Sequence, residues 1–174
     1  MRALLALGLA ALLAMAAYAV YALQQSRTPE PALSGRVSYV IDGDTIVVQS
    51  GSGSGTHVRL IGIDTPEIAH FGRPGTCYGK AAAQITRRLA QGRDVELQPG
   101  RERHDRYGRL LAYVRVVGGP ADLERTLLTL GAARTLAIPP NVDRAAVYAG
   151  LERRARRARI GLWGACSWKP VLGG

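Results

Sequence analysis

The chain of 174 residues holds one phenylalanine, three histidines, two cysteines and, beside 21 arginines, only two lysines, Lys80 and Lys169. It has no CxxC pair and no paired histidines, which speaks against a thiolate or imidazole metal centre. Acidic residues are also few, 13 against 23 basic ones, and the formal net charge is +10. Phosphate-rich or otherwise anionic partners are therefore favoured, although charge alone names none. Arginine's planar fork grips phosphate bidentately, but a GC-rich genome produces the same excess over lysine, and both readings stay open. The length excludes a second full domain and allows one compact domain with a tail. With 47% hydrophobic and 21% charged residues, the composition is not that of a disordered chain. No internal repeat is visible, and the Gly/Ser run at 50–55 is the only low-complexity piece.

One long hydrophobic run is present. Residues 3–23 carry no charge, and a helix of that length spans a hydrocarbon core. Ala14-Met15-Ala16 and Ala17-Tyr18-Ala19 suit signal cleavage, while the length together with Tyr18 and Tyr21 suits an interfacial anchor. Residues 1–23 are expected to be one or the other, with the remainder outside the cytoplasm: membrane-anchored, or secreted or periplasmic after cleavage. Arg2 supports that orientation and Arg27 weakens it. Residues 24–34 read as a linker, 35–168 as the domain and 169–174 as a tail. Export gives the even cysteine count a meaning: Cys77 and Cys166 are expected to form one disulfide, with two buried thiols as the alternative.

Within the domain, residues 35–49 read as two strands around the turn Asp42-Gly43-Asp44, and residues 56–63 as a third. Residues 80–91 suit an amphipathic helix, followed by strands at 93–98 and 109–117. Residues 121–130 read as a second helix, and Asn141 as the cap of a third running to about Arg159. Five strands with a helix after the third suit an α+β, mainly β, five-stranded OB-type Greek-key barrel with three packed helices.

The chemistry concentrates between Asp42 and Glu67. Asp44 opens one strand and Asp64 closes another, so antiparallel pairing can bring their carboxylates together. Oxygen-only donors select a hard cation, calcium or magnesium alike. Taken singly, Asp-Gly-Asp is an ordinary hairpin turn, and Asp64-Thr65-Pro66-Glu67 an ordinary helix or turn start. The conjunction with Arg59 and Arg109 shifts the balance, because an apolar strand rarely carries an arginine unless it faces an anion or solvent. Strict alternation puts Arg59 and Asp64 on opposite faces, so a bulge is expected at Gly62.

Through VIDGDTIVV at 40–48, VRLIGIDTPE at 58–67 and HDRYGRLLAYV at 104–114, the chain resembles the staphylococcal nuclease family. The likeness extends from about Gly35 to Trp163 and implies the same OB fold. It also implies calcium ligands at Asp44, Asp64 and the Thr65 carbonyl, with Asp42 behind them through water. Glu67 matches the general base and Arg59 and Arg109 the catalytic arginines. Arg106 and Tyr107 match residues that bind a terminal phosphate, though Tyr107-Gly108 could instead shape a turn. The implied reaction is calcium-dependent hydrolysis of DNA and RNA with the 5' oxygen leaving and 3'-phosphate products, by a monomer. Leu136 and Ile138 depart from the family's tyrosines, which puts base stacking there in doubt.

Two other classes compete. Nuclease-like OB modules that bind nucleic acid without cutting have lost acidic or arginine positions that are all filled here. A basic protein on anionic lipid leaves the acidic cluster unexplained. The run Arg153, Arg154, Arg156, Arg157 and Arg159 reads as a solvated helix face, or as a hold on nucleic-acid backbone if it lies near the cleft.

Overall fold

The computed structural model describes Met15, Tyr18 and residues 33–51, 53–69, 72 and 74–166. The signal or anchor, most of the linker, His70, Trp168 and the tail lie outside the described residues. The chain divides into two units, Met1–Ala32 and Leu33–Gly174. Among the described residues no helix is long and apolar enough to cross a membrane.

In the second unit, strands β1 (Leu33–Asp42), β2 (Thr45–Gln49), β3 (Thr56–Leu60), β5 (Asp94–His104) and β6 (Leu110–Val116) close a barrel in the order β1-β2-β3-β6-β5. Closure is made by antiparallel pairing of β1 with β5, from Leu33 opposite Leu97 to Arg36 opposite Asp94. Leu33 and Ser34, expected in the linker, thus belong to the barrel. β3 and β6 pair in parallel, which sets Arg59 beside Leu111 and brings the start of β6 next to the arginine. Short strands β4 (Ile63–Asp64) and β7 (Arg134–Thr135) form a separate two-stranded sheet.

The barrel is filled by β-branched and leucine side chains, among them Val37, Val40, Ile46, Val58, Leu60, Val95, Val114 and Val116, all buried. Each contributes about 1.5–3 kcal/mol by leaving water. Along β1 the buried positions are 37, 40 and 42 rather than alternate residues, because the register with β2 slips twice. Once the first slip has brought Val40 inward, alternation carries Asp42 to the same side, beside the turn that carries Asp44.

Helix α1 (Gly79–Ala90) packs on β1 through Gly79, Ala82, Ala83, Thr86 and Ala90, a stripe at three- and four-residue spacing, while Ile85 and Leu89 are half-buried on its flank. Helix α2 (Leu123–Thr129) begins at Asp122, whose carboxylate accepts the Arg125 N–H. Helix α3 (Ala145–Arg157) packs against α2 and β7, and a four-residue helix α4 (Leu162–Ala165) follows it. Asn141 does not cap α3, which starts four residues later. Its side chain instead accepts the Glu102 N–H and donates to the Glu102 carbonyl, fastening the β5–β6 arm.

The expected strand at 56–63 ends at Leu60. Gly62 has φ +81°, so the chain turns there instead of bulging, and Ile63 leaves the barrel for β4. A Cβ at Gly62 would lie 2.9 Å from the Tyr148 ring, so glycine serves both the turn and the approach of α3.

Candidate active site

The β1–β2 turn is pressed against the segment after β4. A Cβ on Gly43 would lie 2.7 Å from Thr65 Oγ1, so only glycine lets the turn come this close. From α1, Thr86 Oγ1 donates to the Gly43 carbonyl at 2.6 Å and braces the turn from below. Asp44 is buried, and its Oδ2 accepts the Thr65 N–H at 2.7 Å and the Thr65 hydroxyl at 3.1 Å. Burial pushes the Asp44 carboxyl up, and the Arg59 charge and the Thr65 N–H draw it back only in part.

Arg59 sits opposite Thr45 in the β2–β3 ladder. Its Nη1 donates to the carbonyls of Leu60 and Ile63, both at 2.9 Å, which fixes the guanidinium across the turn at Gly62. Its Nη2 then lies 3.2 Å from Asp44 Oδ2 and 3.4 Å from Asp64 Oδ1. The turn therefore achieves what a bulge was expected to do: Arg59 and Asp64 meet.

Asp42 is buried and accepts the N–H groups of Gly43 and Ile68 through Oδ1. Glu67 shares a hydrogen bond with Asp42, which with burial and the nearby charges of Asp42, Asp44 and Asp64 pushes its carboxyl up to about 7. Four carboxylates thus influence one another, with Glu67 on the more open side.

Arg109 is held by Asp105. The Asp105 carboxylate accepts Arg109 Nε at 2.7 Å and the Arg109 backbone N–H at 3.0 Å, and also caps the Tyr107 N–H. Burial would raise the Asp105 carboxyl, but the hydrogen bonds from Arg109 and Tyr107 together hold it below the usual range. Arg109 Nη1 reaches to 3.4 Å from Thr45 Oγ1, one residue from Asp44.

A cleft of about 390 Å³ opens beside these groups, lined by Arg59, Arg106, Tyr107, Arg109, Leu136 and Ile138 among others. Tyr107 is exposed, with the Arg106 and Arg109 guanidinium groups 4.8 and 5.5 Å from its ring centre. Leu136 and Ile138 are exposed on the far wall, apolar where a flat ring would stack. Cys77 and Cys166 are joined, S–S 2.06 Å, tying the start of α1 to the end of α4.

Sequence reasoning missed Arg134. Its Nη2 donates to Asp64 Oδ2 at 2.6 Å from the facing position in β7, and Thr135 beside it donates its N–H to Glu152 of α3 at 2.9 Å. The signal was the one that marked Arg59, an arginine inside an otherwise apolar stretch, GAARTLAI.

Among the described residues no group of three or more His, Cys, Asp or Glu side chains gathers as a ready metal site. The donors nonetheless suit a hard cation. Asp44 and Asp64 direct one oxygen each at a single positively charged nitrogen, Arg59 Nη2, and the hydroxyl and carbonyl oxygens around them add no soft donor.

Barrel and site together define a class: an OB-fold α+β protein in which Arg59, at the wall of a cleft it shares with Arg109, meets an acidic pair, Asp44 and Asp64. The family model for staphylococcal nuclease homologues matches residues 57–165. The chain is 37% identical to a thermonuclease of Staphylococcus intermedius over 127 residues, covering 73% of this chain and 74% of that one. It is 34% identical to a thermonuclease of Staphylococcus hyicus over 128 residues, 74% of either chain. Endonuclease YncB of Bacillus subtilis (strain 168) is also 34% identical over 128 residues, covering 71% of this chain and 58% of that one. This chain belongs to the staphylococcal nuclease family of phosphodiester-hydrolysing enzymes.

Proposed function

We propose that this protein cuts DNA and RNA with the help of calcium, releasing the 5' oxygen and leaving 3'-phosphate ends, and that it does so outside the cytoplasm. The carrying observation is the convergence of Arg59, Asp44 and Asp64 on one point, with Arg109 entering from the parallel neighbour strand. A phosphodiester anion repels an oxygen nucleophile, and this arrangement supplies the positive charge that offsets the repulsion.

Asp44, Asp64 and the Thr65 carbonyl would hold the calcium, with Asp42 behind them. When bound, the ion would neutralise phosphate charge and favour ionisation of water. Arg59 and Arg109 then hold the equatorial oxygens, where a lysine could engage only one at a time. Glu67, with its carboxyl near neutrality, takes a proton from the attacking water. Arg106 and Tyr107 hold the terminal phosphate at the mouth of the cleft. Leu136 and Ile138 offer apolar contact without ring stacking, so base preference is weak on that wall.

The hydrophobic run at 3–23 and the Cys77–Cys166 pair support export, with the leader retained as an anchor or removed. Incubating the purified protein as a monomer with single-stranded DNA and with RNA, in calcium, magnesium or chelator, tests the reading. Cleavage in calcium to 3'-phosphate ends is expected, and intact substrate would overturn it. Sequencing the native amino terminus separates a start at Met1 from one near residue 17 to 20.

A further inference from the structure

The arginine run on α3 is not absorbed by the reaction. Arg153, Arg154, Arg156, Arg157 and Arg159 are all exposed, and the acidic residue among them, Glu152, is engaged by Thr135 of β7. Arg156 lies 4.0 Å from Glu152 and 4.8 Å over the Trp163 ring. Arg153, Arg154, Arg157 and Arg159 have no acidic partner among the described residues. The C-terminus of a helix welcomes cations, but that effect fades within one turn and needs only one or two.

Their placement relative to the reaction centre is specific. Arg134 pairs with Asp64 across a strand spacing of about 4.8 Å, and its neighbour Thr135 is hydrogen-bonded to Glu152. At about 100° per helical residue, Arg156 stands about 40°, Arg153 about 100° and Arg157 about 140° round α3 from Glu152, all in one sense. The inward side of the helix is set by Tyr148 and Ala155, which are buried. Arginines therefore begin where α3 touches the sheet that carries Asp64 and continue outward along one flank. Arg154, about 200° from Glu152 in the same sense, lies about 60° beyond Arg157 and forms the outer edge of the run.

We propose that the Arg156–Arg153–Arg157 flank of α3 is a second phosphate-binding track, which holds the backbone of a long nucleic-acid strand whose scissile bond lies at Arg59 and Arg109. The partner is a nucleic-acid strand because the track adjoins the reaction centre through β7 and β4, and because guanidinium forks suit phosphate oxygens. Binding of this kind neutralises backbone charge without reading sequence, so it extends affinity for long substrates and leaves the chemistry alone.

The inference rests on the nuclease reading above, and substrate length separates the two. The full chain carrying Arg153→Gln and Arg157→Gln is compared with the parent protein and with Arg88→Gln, at an exposed arginine of α1, on a dinucleotide-sized substrate and on a strand of about 30 nucleotides. With the long strand, KM is expected to rise about tenfold near physiological salt, and the salt slope to fall by about 1.4 for two lost contacts. With the short substrate, kcat and KM should match the parent, as should the melting temperature. The Arg88→Gln control should leave the long-strand KM within twofold. An unchanged salt slope in the double variant overturns the track, and so does an equal loss from Arg88→Gln. A parent protein that cuts neither substrate overturns the nuclease reading itself. Vesicles of anionic lipid provide the last arm: if the double variant loses vesicle binding while keeping its long-strand KM, the flank is a membrane contact and the proposal falls.

Discussion

Arg134 Nη2 donates to Asp64 Oδ2 at 2.6 Å while Arg59 Nη2 stands 3.4 Å from Asp64 Oδ1, so this carboxylate lies between two guanidinium groups. A cation approaching Asp64 meets their positive charge. Removing Arg134 removes one competitor and leaves Arg59 to orient the carboxylate. With calcium at Asp44 and Asp64 as proposed, Arg134→Met is expected to lower its dissociation constant about fivefold, an effect of roughly 1 kcal/mol for a half-exposed charge at this distance. Calorimetric calcium titration checks it, and a weaker affinity would mean that Arg134 chiefly aligns Asp64.

Arg59 and Arg109, the two arginines proposed to hold the phosphate, are held differently, and their variants should fail differently. Arg59 is nearly buried and bridges two carbonyls and two carboxylates, whereas Arg109 is more open and tied to Asp105. Replacing either with lysine is expected to lower kcat by about 10²–10³, the loss associated with one stabilising donor. Arg59→Lys should also lower the melting temperature by several degrees, because buried acceptors lose their partner. Arg109→Lys should melt within a degree or two of the parent. Thermal melts beside single-turnover rates distinguish the two, and equal destabilisation would contradict the different anchoring.

Gly62 shows where local reading stops. Its strand neighbours and the need to bring Arg59 to Asp64 both pointed to an irregularity, and the acidic and arginine residues were legible because each is chemically out of place in its segment. That the irregularity is a positive-φ turn depends on Tyr148, 86 positions later, closing over it, and no local pattern carries that information. The same holds for Asn141, which sits before a helix yet serves Glu102, and for β7, two residues long and visible only as the partner of β4. Gly62→Ala is accordingly expected to destabilise by about 1–3 kcal/mol, from the backbone conformation and the contact with the Tyr148 ring. Denaturant melts should show the loss, and Gly62→Ala with Tyr148→Leu should recover only the share due to the ring. A neutral Gly62→Ala would refute this account of the turn.

Glu124, in the first turn of α2, is wholly buried and accepts the Val114 N–H through Oε1 at 3.0 Å, while its Oε2 has no hydrogen-bond partner among the described residues. Burial, and after it the charge of Asp122, pushes its carboxyl well above the usual range. The native state therefore keeps a proton that the unfolded chain releases near pH 4.3. Stability from this group is fully present below that pH and falls as pH rises toward the native value, because the native state binds more protons throughout the window. Glutamine cannot ionise, and its carbonyl can still accept the Val114 N–H. Glu124→Gln should thus gain on the parent steadily from pH 5 to pH 8, by about 1–3 kcal/mol at the upper end, the cost of keeping an ionisable group in an unsuitable place. Urea melts at four pH values measure the gap, and parallel pH profiles for the two proteins would show that Glu124 does not control this slope.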